Sequence, residues 1–489
     1  MDDQAIDVYD VIIIGAGISG INTAHHLQSR LSTLSYTILE SRSNIGGTWD
    51  LFRFPGIRSD TDLHTFGFSW NPWIENRAVA DGDSIARYMS RAAVKEGIHH
   101  HIKFQHRVIT ANWSSKSQSW ELIVETEGGA RVKFEGRFLV LGTGYYDYHE
   151  PIKPQIPGLH ENFKGKVLHP QFWPEDYDYT DKRIVIIGSG ATAITLLPNM
   201  AKKAGHVTML QRSPSYIMSL DNATGGSFIH KLLPKSWSFK LSRLMFMWMN
   251  VMLYYLCRAF PKQARETLQR KVAEQLPEHI PIDPHFCPQY RPWDQRLCFT
   301  PNGDFFECLR DGIASVETGH IKTITENAII LETGQHVEAD IIVTATGLRV
   351  GIGGSIQFGI DGTHIDLTDR YAWRAAMLQD IPNLAFIIGY VNASWTLGAE
   401  TTAETICRVL KHMQRNNLSS ATPRVPDSSS IQPIRMWNLH STYIKEAEKK
   451  LPRCGDSGPW KRRTNYFLDL WRAKYGDITA DMEFCQGLR

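Results

Sequence analysis

Two glycine-rich loops, each following a short β-branched run and opening a helical pattern, stand about 170 residues apart in this 489-residue chain. A buried strand, a Gly-x-Gly-x-x-Gly turn and a helix together begin a parallel nucleotide-binding unit, so the pairing calls for an α/β fold with two Rossmann-like domains. In the first unit the apolar run 8–14 leads into Gly15, Gly17 and Gly20, and a helical pattern continues through Leu27. The first glycine permits the turn, the second lets backbone approach a pyrophosphate, and the third lets the helix pack on the strand. Free N–H groups at the helix start face the anion. A second strand, 36–39, ends on Glu40, 20 residues beyond Gly20. A carboxylate there accepts hydrogen bonds from both ribose hydroxyls and repels a 2′-phosphate, so this site suits FAD or NAD and not NADP.

The second unit has a strand at 183–187, then Gly188, Gly190 and Ala193, with Thr192 at the start of the helix. Its next strand, 207–210, is followed by Gln211, Arg212 and Ser213, where the first unit has Glu40. A lost carboxylate and a gained guanidinium fit a 2′-phosphate, which arginine grips with two parallel hydrogen bonds, so this site is expected to hold NADPH. Between the two loops run Gly46, Gly47, Thr48 and Trp49, then Phe54, Pro55 and Gly56, with Asp60 four residues later. Such a loop brings backbone against an isoalloxazine ring, with Val108 expected as a further cofactor contact. Strands are expected at 108–113, 120–125 and 131–134 as a small meander, with a separate buried strand at 138–141. Two cofactors, FAD and NADPH, make a hydride-accepting flavoenzyme the leading reading.

Composition narrows the class by exclusion. Seven scattered cysteines never form a CxxC pair, which argues against a disulfide framework and a zinc site, and none precedes Cys257, which excludes the disulfide reductases of this architecture. The 19 histidines show no metal-ligand spacing, and 99–101 reads as a solvated loop, so no metal site is expected. A net charge of +2 gives no nucleic-acid footprint. The acidic start runs straight into a strand without a leader, so a cytoplasmic protein is expected.

The segments 46–60, GGTWDLFRFPGIRSD, and 163–174, FKGKVLHPQFWP, carry one further layer of information. With both nucleotide loops flanking them, they resemble the two fingerprints of the type I Baeyer–Villiger monooxygenases. Trp173 favours that family over the related flavin N-oxygenases, which usually have tyrosine or phenylalanine there. Later segments, 290–310, 339–348 and 392–397, look like the mycobacterial ethionamide-activating branch. The resemblance implies that NADPH reduces FAD, that oxygen adds at the flavin C4a atom, and that a ketone becomes an ester or lactone; thioether sulfoxidation is a second expected activity. It puts the catalytic arginine at Arg296, with Asp60 as its carboxylate partner. It makes Gly165, His169 and Trp173 residues that couple the two cofactor halves, and suggests Asn392, Ser394 and Trp395 for the substrate pocket. The family's usual lysine before the arginine is Gln295 here, so NADPH selectivity leans on Arg212. An N- or S-oxygenase with little ketone activity, and a non-catalytic nucleotide-binding redox sensor, are the alternatives.

The expected organisation is an FAD domain in two parts, 1–148 and 348–489, an NADPH domain in two parts, 149–220 and 293–347, and a helical insertion at 221–292. Within the insertion, 244–257 is a 14-residue apolar run with basic residues on both sides, namely Lys231, Lys235, Lys240 and Arg243 before it and Arg258, Lys262 and Arg265 after. It is too short for a span. A helix buried against the other domains and lining substrate access is the first reading, and a helix seated on a membrane surface the second. The C-terminal stretch with Trp460, Lys461, Arg462 and Arg463 reads as a wrap back onto the FAD domain. Partners are a small ketone or sulfide and O2; the oligomeric state is left open.

Overall fold

The β1 strand, Asp7–Ile14, is the centre of the first sheet, paired in parallel with β2 (Tyr36–Leu39) on one side and β6 (Arg131–Leu141) on the other. Its continuous apolar run is explained by burial on both faces. Val11 and Ile13 pack with the helix layer, which includes α1 (Ile18–Arg30), while Ile12 and Ile14 pack with Val108, Trp113 and Trp120 on the opposite side. The structure is a computed structural model, and it describes residues 6–223, 234–426, 431–438 and 447–486. Lys231 lies outside them.

The first sheet continues through β3 (Ile102–Lys103) at one edge and through β5 (Ser119–Glu125) and β4 (Arg107–Ser114) at the other. The two strands expected at 131–134 and 138–141 are one continuous strand, β6. Gly136 stands in its middle, where a Cβ would press into the Ile12 side chain at 2.8 Å, so the glycine is there for packing and does not break the strand. Strands from far along the chain complete the sheet: Gln357–Ile360 pairs with β4, and Leu384–Phe386 pairs with β6. The sheet thus uses both ends of the sequence.

The second sheet is wholly parallel, in the order Ala314–Thr318, β9 (His206–Gln211), β8 (Arg183–Ile187), Ile341–Thr344 and β7 (Lys166–Leu168). Two stretches, 142–165 and 345–356, carry the chain between the sheets. They run side by side: Tyr146 bridges to Val350, the Asp147 N–H donates to the Arg349 carbonyl at 2.9 Å, and the Gly351 N–H donates to the Tyr145 carbonyl at 3.0 Å.

Three short helices matter for the site, α2 (Thr48–Leu51), α3 (Leu63–Phe66) and α5 (Ala191–Met200), with α4 (Gly82–Lys95) covering the first sheet. The described residues of 221–292, expected as a helical insertion, form α6 (Lys235–Ala259), the helix Pro261–Ala273 and the short helix Ile282–His285. Within α6, Arg243 is only 9% exposed. Its guanidinium donates to the carbonyls of His64 and Gly67 at 2.9 and 2.6 Å, at the end of α3, and to Glu400 at 2.9 Å. Arg243 therefore does not belong to a solvent-facing basic flank. It neutralises a buried carboxylate and caps a helix.

At the C-terminal end, Trp460 is buried and Arg463 donates to Thr401, Thr402 and the Gly398 carbonyl in the helix Trp395–Arg415. Strand Met482–Cys485 pairs with Ser420–Pro423. This end of the chain packs onto the domain that the N-terminal end begins.

Candidate active site

A cavity of about 300 Å³ opens where the first glycine loop, the 46–49 loop and the segment after β6 converge. Gly15, Gly17, Glu40, Gly47, Thr48, Trp49, Asp60, Val108, Arg296 and Trp395 all line it. Gly15 has φ +104° and its Cβ would lie 2.8 Å from the Gly142 carbonyl oxygen, so only glycine lets the loop pass this close to the end of β6. Gly20 is buried beneath that loop, on the first turn of α1.

Glu40 is 5% exposed. One carboxylate oxygen accepts from the Ala16 N–H at 2.6 Å and the other from the Arg42 N–H at 2.9 Å, which aims the group into the cavity with lone pairs to spare. Burial pushes its carboxyl above the usual range, while those two N–H groups and the Arg42 charge act the other way. Opposite, Thr48 and Tyr148 hydroxyls are 3.3 Å apart, and Trp49 packs edge-on to Phe66. This cradle fits a dinucleotide that needs a pyrophosphate turn, a ribose acceptor and a slot for a flat ring. FAD meets all three.

The arginine and the carboxylate expected to work together are brought to one wall. Arg296 Nη1 stands 4.0 Å from Asp60 Oδ2, each side chain about one-third exposed, and Arg296 Nη2 donates to the Tyr390 carbonyl at 3.3 Å. Two residues on, burial pushes the Cys298 thiol up to about 12, so it stays protonated and takes no part as a nucleophile.

Trp395 stacks on Tyr145 with ring centroids 4.7 Å apart, and its indole N–H donates to Ser19 on α1 at 2.9 Å. Asn392 and Ser394, expected beside it in the substrate pocket, stand outside this cavity's lining. Both are buried: the Ser394 hydroxyl is 2.5 Å from that of Thr65 on α3, and the Asn392 amide points to the Thr464 carbonyl. At this bend before the helix Ala393 and Trp395 face the cavity, while Asn392 and Ser394 face away. Tyr145 and Tyr146 line the cavity without having been singled out in the sequence. Their position directly after Gly142 to Gly144 was the available signal.

In the second unit Gly188 follows β8, Gly190 caps α5 and Thr192 is half-buried in its first turn. Ser189 donates to the Ser213 carbonyl at 2.8 Å, which holds the loop against the end of β9. Strand register sharpens the comparison with the first unit. The Gly15 N–H donates to the Leu39 carbonyl and the Gly188 N–H to the Leu210 carbonyl, so Gln211 is the counterpart of Glu40. Gln211 is turned inward, donating to the His285 carbonyl at 2.7 Å, and Arg212 is the exposed residue one step beyond.

The 163–174 segment, expected to couple the two halves, also builds the second sheet, because β7 is an edge strand of it. Gly165 makes that possible: a Cβ there would lie 2.3 Å from the Asp340 carbonyl oxygen. Trp173 is buried in the core of the same unit, with Leu168 and Ile184. Gln171 donates to the Asp147 carbonyl at 2.7 Å, in the crossing from the first sheet. His169 Nδ1 accepts from the Gln171 N–H at 3.2 Å, and burial lowers its imidazole to about 4. It is therefore neutral, with its Nε2 buried and without a hydrogen-bond partner among the described residues.

Residues 9–353 match the family model described as flavin-binding monooxygenase-like. The chain is 44% identical over 475 residues to the FAD-containing monooxygenase EthA of Mycolicibacterium smegmatis, spanning 97% of this chain and 96% of that protein. It is 42% identical over 476 residues to the probable FAD-binding monooxygenase AlmA of an Acinetobacter species, spanning 96% and 95%. Among solved structures, an oxidized steroid monooxygenase bound to NADP superposes with a TM-score of 0.75 at 20% identity, over 98% of this chain and all of that one. An open cyclohexanone monooxygenase does so at 0.74 and 20%, over 98% and 99%. The solved structures show a shared fold, and the family match together with the whole-length identity to EthA shows that this chain belongs to the flavin-binding monooxygenase-like family, on its EthA-like branch.

Proposed function

We propose that this chain inserts one oxygen atom of O2 beside a ketone carbonyl, giving an ester or lactone at the expense of NADPH, and that it also converts thioethers to sulfoxides. The observation that supports this reading is the placement of Arg296 beside Asp60 on the wall of the cavity that the first glycine loop and the 46–49 loop share. FAD, when bound, supplies hydride acceptance from NADPH and activation of O2, chemistry that no side chain provides.

The chain's own residues bind, orient and balance charge. The Gly15 and Gly17 loop would hold the pyrophosphate, Glu40 the ribose, and Gly47, Thr48 and Trp49 the ring. Gly188, Gly190, Thr192 and Arg212 would hold NADPH. Arg296 is permanently charged and stabilises negative charge on oxygen at the cavity wall, while Asp60 and the Tyr390 carbonyl fix its orientation. The neutral His169 is neither acid nor base in this scheme; it belongs to the segment coupling the two halves.

The test is the variant Arg296→Ala, assayed by product identity on a panel of ketones and thioethers. NADPH should still bleach the flavin, and ester formation should vanish. Esters forming at near the native rate would overturn the role given to Arg296. A native enzyme that forms sulfoxides but no ester from any ketone would overturn the ketone reading and leave an S- or N-oxygenase.

A further inference from the structure

Helix α6 leaves much of its apolar surface outside. Inward it buries Ser238, Ser242, Arg243 and Cys257, stacks Phe246 on His64 and has Asn250 donating to Asp62 at 3.2 Å. Its outward face carries Trp237, Leu241, Leu244, Trp248, Met252 and Tyr255, all exposed. Their spacings of three and four residues form one stripe, about 27 Å long at the rise of an α-helix.

The C-terminal helix Tyr466–Tyr475 lies alongside and widens the stripe. Met247 packs with Tyr466 and Leu470, and Asn465 donates to the Tyr255 hydroxyl at 3.4 Å. This second helix exposes Phe467, Trp471 and Tyr475 in the same manner. Trp248 and Trp471 are each 59% exposed. Single exposed apolar side chains are ordinary on protein surfaces, but two adjacent helices that both present them are not.

The charge around the stripe is one-sided. Residues 235–273 contain eight lysines and arginines and one glutamate, in a chain whose net charge is only +2. Arg243 is committed to Glu400 and Arg258 pairs with Asp294 at 2.7 Å, but Lys240, Lys262 and Lys474 are exposed on or beside the two helices. No helix among the described residues is long and apolar enough to cross a membrane.

We propose that α6 and the C-terminal helix seat this protein on the surface of an anionic lipid bilayer. The tryptophan and methionine stripe enters the boundary between headgroups and acyl chains, and the lysines meet the lipid phosphates. Tryptophan and tyrosine suit that boundary because their rings are apolar and their edges polar. The inference is independent of the reaction assigned above, since neither helix's outward face lines the cavity.

The experiment is co-sedimentation of the full-length, FAD-loaded protein with vesicles of phosphatidylcholine alone or mixed with phosphatidylglycerol. Binding should be strong only to the mixed vesicles and should weaken in high salt. The double variant Trp248→Glu/Met252→Glu should lower it at least about tenfold with flavin absorbance unchanged. Should that variant lose flavin, Lys240→Glu/Lys262→Glu carries the test, with a loss of about tenfold or more expected at low salt. Failure to sediment with mixed vesicles, or native binding by a well-folded variant, would overturn the proposal. So would light scattering that shows a dimer which these substitutions split, with no vesicle binding, since the stripe would then be covered by a second copy.

Discussion

Arg58 grips Asp304 across the boundary between the two nucleotide-binding halves, with both guanidinium nitrogens Nη1 and Nη2 on the carboxylate and the Nη2 contact at 3.3 Å. The Thr300 hydroxyl donates to the same carboxylate. Arg58 is two residues from Asp60, and Asp304 opens the helix that follows the Cys298–Pro301 strand, eight residues after Arg296. The clasp therefore fixes the separation of Asp60 and Arg296 from outside the cavity.

Breaking it should disturb chemistry before it disturbs binding. Arg58→Ala is expected to keep its flavin while yielding less oxygenated product per NADPH consumed and more hydrogen peroxide. Arg58→Ala and Asp304→Ala should each weaken the arrangement by roughly 1.5–3 kcal/mol, and the double variant should be little worse than either alone. A double-mutant cycle on oxygenation rate measures this; fully additive losses would show that the two residues act separately.

The exposed Arg212, one step past the buried Gln211, sets the expectation for cofactor choice. Arg212→Ala should weaken NADPH binding by roughly 1.5–3 kcal/mol and leave NADH nearly unchanged. Titration of both nucleotides against the flavin-loaded protein decides it. Equal losses for the two would remove the 2′-phosphate assignment.

Arg243 and Glu400 should matter for stability and not for nucleotide choice. Glu400 accepts from Arg243, from the Ser69 N–H at 3.0 Å and from the Tyr466 hydroxyl at 2.9 Å, so its removal strands a buried cation. Glu400→Ala is expected to cost about 3–5 kcal/mol in urea unfolding, and replacing both partners with methionine should recover much of it. A loss below about 1 kcal/mol for the single change would show that water reaches the site.

Two half-buried histidines give the protein an acid limit. Burial lowers both His26 and His169 from 6.5 to about 4, with Arg30 adding to the effect at His26. The unfolded chain then binds more protons than the folded one between those values, so the stability is present above about pH 6.5 and lost as pH falls toward 4. Thermal melts of His169→Gln should therefore fall less between about pH 7.5 and about pH 5 than those of the native protein. An unchanged pH slope would place the proton uptake elsewhere. In the same variant both cofactors should remain bound; slower flavin reduction or more peroxide would support a coupling role.

The sequence made the cofactor cradle legible because its requirements are local. A tight turn, a close backbone approach and a strand-end carboxylate each need a particular residue at a fixed offset, and Gly15, Gly17 and Glu40 meet those needs. Arg296 and Asp60 were paired only through resemblance, since no spacing rule joins residues 236 positions apart. Asn392 and Ser394, expected in the substrate pocket, face away from this cavity, and a short irregular entry to a helix has no period from which that facing could be read. Arg243 was read only as one of the basic residues flanking the apolar run 244–257, because nothing near it in the sequence points to its partner. Its partner, Glu400, lies 157 residues away. The single strand Arg131–Leu141 looked like two because Gly136 resembles punctuation until Ile12 is seen against it.

The paired crossings at 142–165 and 345–356 also limit how the molecule can move. Two strands bonded side by side, through Tyr146 and Val350 and the carbonyls of Tyr145 and Arg349, behave as the pin of a door. They resist shear and twist between the two sheets. The same boundary is held again where Phe52 and Phe54 pack into the core of the second unit, so any movement of one unit against the other must carry both contacts with it.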